Sequence, residues 1–394
     1  MTDPLPPGSP GMTLGMLGGG QLGRMFIHAA HRLGYRVHVL SPDADGPAGQ
    51  IADVHTAAGY GDLDAVRRFA GSVAAVTYEF ENVPADCAAA CAEHAPVRPG
   101  QHVLAIAQNR VREKTTLKAH GIPVGPFAPI HSLDDLRQAI ESLGLPGVLK
   151  TAAGGYDGKG QRTLRRADDA TYAWEDLGRR PCVYEAFIDF EQEVSVVAAR
   201  SADGDVRCYG PIANTHRNHI LDVSVVPSGA PGSIEEQAVR IATEVMEKLD
   251  VVGVLCVEFF QTRPRKGEPG RMLVNELAPR PHNSGHLTID AYTASQFDQQ
   301  VRIAAGLPLA EVERRSPAAM VNLLGELWPK DGEPDWSIAT GRDGMHLHLY
   351  GKHEARPGRK MGHLTALART PHEAIRDAVE ARARLAPRSG IAPD

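Results

Sequence analysis

Residues 148–164 decide the class of fold, and they read VLKTAAGGYDGKGQRTL. The apolar residues 148–151 predict a strand that carries Lys150, and residues 162–164 predict the strand that returns beside it. The loop between them, residues 154–161, holds four glycines, one lysine and one aspartate. Backbone N–H groups of such a loop can meet phosphate oxygens, and Lys150 can neutralise phosphate charge. No Ser or Thr follows the lysine, so this is not a Walker A loop, and we expect a mobile hairpin that closes over a triphosphate.

The residues before this hairpin alternate between strands and helices. Strands are predicted at residues 13–17, 36–40 and 73–77, and helices at residues 21–33 and 82–91. This alternation predicts an α/β region in which helices cover a parallel sheet.

The remaining segments predict an α+β arrangement. Helices are expected at residues 110–120 and 133–143. Strands then dominate residues 191–276, with one long helix at residues 234–249. The tail from about residue 318 has strand signals of its own. Because 394 residues are too many for one simple core, we expect two or three domains.

Composition excludes several classes of function. The chain has 42% hydrophobic and 23% charged residues, which is typical of a globular protein. A formal net charge of -6 argues against a nucleic-acid partner. No apolar run approaches the ~20 residues that cross a membrane, so no membrane partner is expected. Residues 1–11 are rich in Pro and Gly and lack the pattern of a signal peptide, so we predict a flexible leader.

The five cysteines are scattered, which fits reduced thiols in the cytoplasm better than a disulfide framework. Cys87, Cys91 and His94 are close enough to suggest a metal site. Their Ala-rich surroundings and i, i+4 spacing are more typical of the buried face of a helix, and no fourth ligand is evident.

A glycine-rich turn follows the first predicted strand. Residues 18–23 read GGGQLG and satisfy the G-x-G-x-x-G pattern, which lets an anion approach a helix N-terminus. A dinucleotide site is one interpretation, but the second strand ends Val39-Leu40-Ser41-Pro42 without the acid that holds a ribose. We therefore favour a phosphate-binding turn for another ligand, with a plain tight turn as the alternative.

Two glutamates lie near the ends of apolar strands, Glu258 in VEF and Glu276 in NEL. An isolated buried carboxylate is costly, so each needs a partner. Carboxylates that face each other across neighbouring strands suit Mg²⁺, and Asn275 could add a neutral oxygen. The alternative is a buried ion pair in which Arg280 is the partner.

Polar residues follow the second acid in the stretch RPHNSGH, residues 280–286. Arg280 and His282 in this position are expected to orient substrate and stabilise charge. Glu185 and Glu193 could accept hydrogen bonds from a ribose. The basic turn near Arg359 is expected to bind phosphate only if the tail folds back over the phosphate site.

Five ordered motifs carry a family resemblance: GQLGRM at residues 20–25, YEFENV at 78–83, GGYDGKGQ at 154–161, NELAPR at 275–280 and RPGRKMGH at 356–363. Together they resemble the 5-(carboxyamino)imidazole ribonucleotide synthases of the ATP-grasp superfamily, over nearly the whole chain. The resemblance implies a Rossmann-like domain at residues 12–109, an ATP-grasp small lobe at 110–188, a large lobe at 189–317 and a small C-terminal domain at 318–394. It also implies an ATP-dependent carbon–nitrogen ligase that joins bicarbonate to 5-aminoimidazole ribonucleotide in purine biosynthesis, and a homodimer.

The resemblance also implies roles for individual residues. The residues expected to bind ATP are Arg110, Lys150, Gly155, Tyr156, Asp157, Gly158, Lys159, Gly160, Gln161, Glu185, Ala186, Phe187, Ile188, Glu193, His216, Asn275 and Glu276. Those expected to bind Mg²⁺ are Glu258 and Glu276. Those expected to bind the ribonucleotide are Gly20, Gln21, Leu22, Glu81, Tyr156, Asp157, Arg280, His282, Lys352 and Arg359. The expected catalytic residues are Arg280, His282, Asp157 and Lys352, and either Asp157 or His282 accepts the amine proton.

Three alternatives stay open at this stage. One is another ATP-grasp ligase, such as a formate-using glycinamide ribonucleotide transformylase. The second is a nicotinamide-dependent oxidoreductase, and the third is a nucleotide-binding regulator without activity.

Overall fold

The computed structural model of the protein describes residues 8–155, 159–264, 270–330 and 332–385. Its strands form three sheets, two of four strands and one of eight. Among these residues, no helix is both long enough and apolar enough to cross a membrane.

A parallel four-stranded sheet with the order β3-β2-β1-β4 forms the N-terminal region. Its elements are β1 (Thr13–Leu17), α1 (Gln21–Arg32), β2 (Arg36–Ser41), β3 (Val54–Ala57), α2 (Leu63–Ala70), β4 (Val76–Tyr78), α3 (Ala85–Ala92) and α4 (Gln101–Ala107). Leu14, Met16 and Leu17 of β1 are fully buried, as expected of a parallel strand that is covered on both faces. The predicted α/β region is confirmed, although β3 and α2 were not predicted.

The glycine hairpin belongs to a second sheet with the order β5-β8-β6-β7. Its elements are α5 (Arg110–Ala119), β5 (Phe127–Ile130), α6 (Leu133–Leu143), β6 (Gly147–Thr151), β7 (Gln161–Leu164), α7 (Asp169–Asp176) and β8 (Cys182–Ala186). Strands β6 and β7 pair antiparallel, so the predicted hairpin is confirmed. Asn109 and Ser132 cap α5 and α6, because each side chain accepts a hydrogen bond from a backbone N–H of the first turn.

The third sheet has eight strands in the order β13-β12-β9-β10-β11-β14-β16-β15. Its elements are β9 (Phe190–Arg200), β10 (Val206–Arg217), β11 (Ile220–Val226), α8 (Gly232–Lys248), β12 (Gly253–Thr262), β13 (Met272–Ala278), α9 (Thr288–Ala291), α10 (Gln296–Ala305), β14 (Ala318–Leu324), α11 (Ser337–Thr340), β15 (Met345–Leu349), β16 (Lys360–Leu367) and α12 (Pro371–Leu385). A short 3₁₀ turn, Asn283–Leu287, follows β13. The expected large lobe and C-terminal region therefore share one sheet.

Helices cover both faces of this sheet. The apolar face of α8 packs against alternate residues of β9 and β12, and α9 and α10 pack on the opposite face. Helix α10 also packs against α1 through Phe297 and Val301, which joins the large sheet to the N-terminal region.

The structure modifies one detail of the sequence interpretation and confirms another. Gly8 N–H donates to the Ala305 carbonyl and Gly11 N–H to the Gly34 carbonyl, so the expected leader is tied to the fold from Gly8 onward. Cys87 and Cys91 are buried within α3, which confirms that they lie on the core face of a helix.

Candidate active site

A cavity of about 620 Å³ lies where the three sheets meet, and most of the predicted site residues line it. These are Gln21, Leu22, Glu81, Arg110, Lys150, Gly155, Lys159, Gln161, Glu193, His216, Glu258, Asn275, Glu276, Arg280 and His282. Each sheet contributes part of the wall, so residues distant in sequence are brought to one site.

The two predicted metal carboxylates face each other at the cavity. Glu258 and Glu276 are paired across β12 and β13, next to an irregularity in the ladder that leaves Asn275 without a partner strand residue. Such a bulge turns side chains toward a site. Two carboxylates suit a hard cation such as Mg²⁺, which keeps several waters and substrate oxygens as ligands. Within the described part of the chain, the Asn275 Oδ1 atom is buried without a hydrogen-bond partner, so it could add a neutral ligand.

Both carboxylates have cationic or polar neighbours. Glu276 Oε2 lies 2.5 Å from Arg110 Nη1, and Glu258 Oε1 lies 3.2 Å from His282 Nε2. Burial alone would raise the pKa of Glu276, but the Arg110 guanidinium outweighs burial and lowers that pKa to about 2. Glu276 is therefore ionised at neutral pH. Its partner is Arg110, so the alternative pairing with Arg280 is wrong.

Lys150 points at the cavity from the strand that enters the glycine loop. Its Nζ atom donates to Glu185 Oε2 at 3.0 Å, and Lys114 Nζ lies 3.4 Å from the other Glu185 oxygen. Burial raises the pKa of Glu185, but Lys150 and Lys114 outweigh this and lower it. Glu185 does not line the cavity, and its observed contacts hold Lys150 in place.

Another acid–base pair lies on neighbouring strands of the large sheet and also lines the cavity. Glu193 on β9 and His216 on β10 form an ion pair. Burial lowers the pKa of His216, but the neighbouring Glu193 carboxylate outweighs it and raises that pKa.

Arg280 and His282 lie directly after β13. Arg280 Nε donates to Glu81 Oε2 at 2.5 Å, which links the large sheet to the segment after β4. His282 Nδ1 lies 2.8 Å from Ser284 Oγ, and this hydroxyl lies 2.7 Å from Ser195 Oγ. The imidazole is thus held between a serine pair and Glu258.

Two amides of the glycine turn contact a carboxylate of the protein itself. The N–H groups of Gly20 and Gly23 donate to the two Glu79 carboxylate oxygens at 2.5 and 2.8 Å. A protein carboxylate therefore occupies the helix N-terminus at which we expected a substrate phosphate. A dinucleotide pyrophosphate would need the same donors, so this contact also argues against the nicotinamide alternative. Gln21 and Leu22 still line the cavity, whereas Gly20 does not.

The C-terminal tail folds back toward this side of the cavity. Lys360 lines the cavity, and Lys352 Nζ donates to the Lys360 carbonyl at 2.6 Å. Burial, together with repulsion by Arg359, lowers the pKa of Lys352 to about 8, while Glu79 opposes that shift. Lys352 and Arg359 do not line the cavity, but these interactions place Lys352 close to both Glu79 and Arg359.

Three segments match known domain families. Residues 11–108 match the ribonucleotide synthetase preATP-grasp domain, residues 115–297 the ATP-grasp domain, and residues 318–377 the phosphoribosylaminoimidazole carboxylase C-terminal domain. The chain is 40% identical over 368 residues to the N5-carboxyaminoimidazole ribonucleotide synthase of Bacillus subtilis (strain 168), covering 93% of this chain and 94% of that protein. The chain belongs to the N5-carboxyaminoimidazole ribonucleotide synthase family.

Other members of the family agree with this assignment. The synthase of Brucella melitensis biotype 1 is 42% identical over 360 residues, with 91% of this chain and 97% of that protein covered. An N5-carboxyaminoimidazole ribonucleotide synthetase solved as its ADP complex superposes with a TM-score of 0.88 at 40% identity, over 94% of this chain and 96% of that chain. A synthase from Aspergillus clavatus, solved with ADP and 5-aminoimidazole ribonucleotide, gives a TM-score of 0.85 at 30% identity, over 95% and 99% of the two chains.

Some residues expected of this family lie away from the cavity wall or outside the described residues. Gly160, Ala186, Phe187 and Ile188 belong to the small lobe but do not line the cavity. Tyr156, Asp157 and Gly158 lie outside the described residues.

Sequence reasoning missed Glu79, Glu113 and Lys114. Glu79 lies two residues before Glu81 in the same family motif, which was a usable signal. Glu113 and Lys114 follow Arg110 at the spacing that shares one helix face, and Glu113 lines the cavity.

Proposed function

We propose that the protein carboxylates 5-aminoimidazole ribonucleotide with bicarbonate at the expense of ATP, and releases N5-carboxyaminoimidazole ribonucleotide, ADP and phosphate in purine biosynthesis. The observation that carries the proposal is the likeness over 95% of this chain to the relative solved with ADP and 5-aminoimidazole ribonucleotide. The facing carboxylates, Lys150 and Arg280 in one cavity supply the groups that such a reaction needs.

ATP would bind between the small lobe and the large sheet. Arg110 and Lys150 provide cations for the phosphates, and the loop that includes Gly155, Lys159 and Gln161 would cover them. Residues 185–188, Glu193 and His216 would hold the nucleoside. Glu185 also fixes Lys150, so the nucleoside side and the phosphate side are joined by one ion pair.

Glu258 and Glu276 would hold Mg²⁺, with Asn275 as a neutral ligand. The bound ion would neutralise charge on the phosphates of ATP. Arg110 keeps Glu276 ionised, and His282 lies beside Glu258, so both carboxylates are oriented before nucleotide arrives.

The chemistry needs two transfers. A bicarbonate oxygen attacks the γ-phosphorus, the bond to ADP breaks, and carboxyphosphate forms. The exocyclic amine then attacks the carboxyl carbon, either of carboxyphosphate or of CO₂ released from it. Inorganic phosphate leaves, and the amine loses one proton to Asp157 or His282. Arg280 would stabilise the negative charge that develops.

The ribonucleotide would lie between the N-terminal region and the tail. Gln21, Leu22, Glu81 and His282 contact the cavity from this side. Because Glu79 holds the Gly20 and Gly23 amides, Lys352 and Arg359 are the better partners for the ribonucleotide phosphate.

Family membership supports three further proposals, on domain boundaries, oligomeric state and cellular location. The domain boundaries are those expected from the sequence, except that the leader is tied to the fold from Gly8 onward; the protein acts as a homodimer, and it works in the cytoplasm. The five free cysteines agree with a reducing compartment. Light scattering behind size-exclusion chromatography tests the dimer, and a monomer at micromolar concentration would contradict it.

The deciding assay is coupled ADP release at fixed ATP and Mg²⁺. We expect strong stimulation by 5-aminoimidazole ribonucleotide that also requires bicarbonate, with labelled bicarbonate carbon in the product. Release that depends instead on formate and glycinamide ribonucleotide would identify the other ATP-grasp ligase. Absence of ADP release would contradict the ligase assignment.

A further inference from the structure

Glu276 is carried by a strand at the edge of its sheet. Within the described ranges, strand β13 is the terminal strand of the eight-stranded sheet and pairs with β12 on one side. Its other side has an isolated bridge from Val274 to Val124, where the Val274 N–H donates to the Pro123 carbonyl, two residues before Glu276. An edge strand leaves backbone N–H and C=O groups without ladder partners. The irregularity beside Glu258 further weakens the ladder at this point. One of the two facing carboxylates is therefore attached to backbone that the sheet alone holds poorly.

One face of helix α5 supplies the missing partners. Lys114 Nζ donates to the Asn275 carbonyl at 2.9 Å, and Glu113 Oε2 accepts from the Leu277 N–H at 3.0 Å. Arg110 contacts the Glu276 side chain itself. Residues 110, 113 and 114 have the i, i+3, i+4 spacing that places side chains on one helix face. Helix α5 thus contacts β13 at Glu276 and at the residues on either side of it, Asn275 and Leu277.

Packing alone does not require charged groups at these positions. Glu113 and Lys114 are each only 2% exposed. Burying charged side chains is costly unless they are paired and hydrogen-bonded, and an apolar helix face would pack on the strand without that cost. What Glu113 and Lys114 provide instead is two directed hydrogen bonds, one to the Asn275 carbonyl and one from the Leu277 N–H.

Lys114 also connects this edge to the nucleotide side of the cavity. Its Nζ atom lies 3.4 Å from Glu185 Oε1, and Glu185 in turn holds Lys150. The first residue of α5 is tied to the glycine loop as well, because Arg110 N–H donates to the Ala152 carbonyl. Helix α5 is therefore linked to Lys150 through Glu185, and it contacts the start of the loop and the strand of Glu276 directly.

We propose that Glu113 and Lys114 are positioning residues that fix the backbone on both sides of Glu276 and so place its carboxylate for the divalent cation. The inference rests on the proposed function, because it assigns Glu276 to metal–nucleotide binding. Neither residue is a catalytic group, since each acts through β13.

Three variants and one control test this role. Glu113→Leu removes the acceptor for Leu277, Glu113→Gln keeps an oxygen that can accept it, and Lys114→Met removes the donor to Asn275 while keeping an unbranched stem. Lys118→Met is the control, because Lys118 is exposed one turn further along α5. We expect Glu113→Leu and Lys114→Met to raise the Mg²⁺ concentration for half-maximal rate about tenfold or more, because each leaves a buried backbone group without its hydrogen-bond partner. Glu113→Gln and Lys118→Met should stay within about twofold of wild type.

Two readouts do not depend on turnover. Hydrogen exchange should be faster across residues 272–278 in Glu113→Leu and Lys114→Met, in protein without ligands. Binding of Mn²⁺ with ADP, followed by electron paramagnetic resonance, should weaken by the same factor as the Mg²⁺ dependence. Both can be measured without the ribonucleotide. If ADP release by the wild-type protein is not stimulated by the ribonucleotide, the proposed function is contradicted, but these two measurements still test the roles of Glu113 and Lys114.

Several results would overturn the proposal. Unchanged Mg²⁺ dependence and exchange in Lys114→Met would show that the donor to Asn275 is dispensable. Equal losses in Glu113→Gln and Glu113→Leu would show that the acceptor for Leu277 is not what matters. If Glu113→Leu does not fold, the comparison of Glu113→Gln and Lys114→Met with Lys118→Met still decides between these outcomes.

Discussion

Replacing Arg280 with methionine separates a catalytic role of this guanidinium from a structural one. Arg280 Nε lies 2.5 Å from Glu81 Oε2, and the two side chains are 18% and 29% exposed. Loss of the cation leaves a largely buried carboxylate without its partner, which costs about 1–3 kcal/mol. This is less than the about 3–5 kcal/mol of a fully buried pair, because solvent reaches both groups. Arg280→Met should therefore unfold at a lower temperature than wild type.

The loss of catalytic activity in Arg280→Met should exceed what its loss of stability explains. Activity should not return in a second variant that restores the stability. If Arg280 faces the developing charge, kcat/KM should fall at least about 10²-fold, or about 2.7 kcal/mol of transition-state stabilisation. Arg280→Met with Glu81→Gln removes the unpaired charge and should regain most of the melting temperature. Its turnover should stay at or below that of Glu81→Gln alone.

The assay pairs thermal unfolding with coupled ADP release in wild type, both single variants and the double variant. Turnover of Arg280→Met that equals wild type would refute the assignment. A rate that recovers together with the melting temperature in the double variant would also refute it, because the guanidinium would then serve only Glu81.

Three further predictions concern the phosphates and the glycine turn. The pKa of Lys352 is lowered from 10.5 to about 8, so kcat/KM for the ribonucleotide should fall as pH rises above about 8, and Lys352→Met should lose that limb of the pH profile. Below about pH 8 the buried Lys352 ammonium is charged in both states, and the folded state bears the full cost of burying that charge. Because the folded protein loses this proton at lower pH than the unfolded chain does, the free energy of unfolding should rise between about pH 8 and 10.5. Lys150→Met should raise the KM for ATP about tenfold or more, because a cation that contacts the phosphates is lost. The variant should stay folded, because Glu185 keeps Lys114 as a partner. An unchanged KM would exclude Lys150 from phosphate binding. Gly18→Ala should lower the melting temperature strongly, because the φ of Gly18 is +121° and an added Cβ would collide with Glu79. Gly59→Ala is the control, because a Cβ at Gly59 meets nothing within 4 Å. Equal melting temperatures of the two variants would contradict the argument.

Local patterns predicted the parts of the fold that depend on neighbouring residues. The observed bounds of β1 and α6 are those predicted, and the hairpin of β6 and β7 differs by one residue at one end of each strand. Helix α12 was missed although its pattern was present. Its buried residues Ala374, Ala378, Ala381 and Leu385 repeat every three or four positions, as one face of a helix does.

The site was predictable as a set of residues but not as a set of contacts. Glu258 and Glu276 could be predicted to lie at one site because each is the charged residue of an apolar strand. The occupant of the glycine turn could not, because Glu79 is 59 residues away from Gly20 and reaches it only when β4 pairs with β1. Lys114 is likewise 161 residues from Asn275, so its role depends on how α5 docks on the large sheet.

The continuous eight-stranded sheet has a consequence for attempts to shorten this protein. Strands β14, β16 and β15 extend the sheet beyond β11, where Val223 pairs with Val321 and Val225 with Ala319. A chain that stopped before Ala318 would expose the whole edge of β11 and uncover the apolar face around Val223 and Val225. Such an edge invites pairing with other chains, so we expect the truncated protein to aggregate, and the tail cannot be treated as a detachable module.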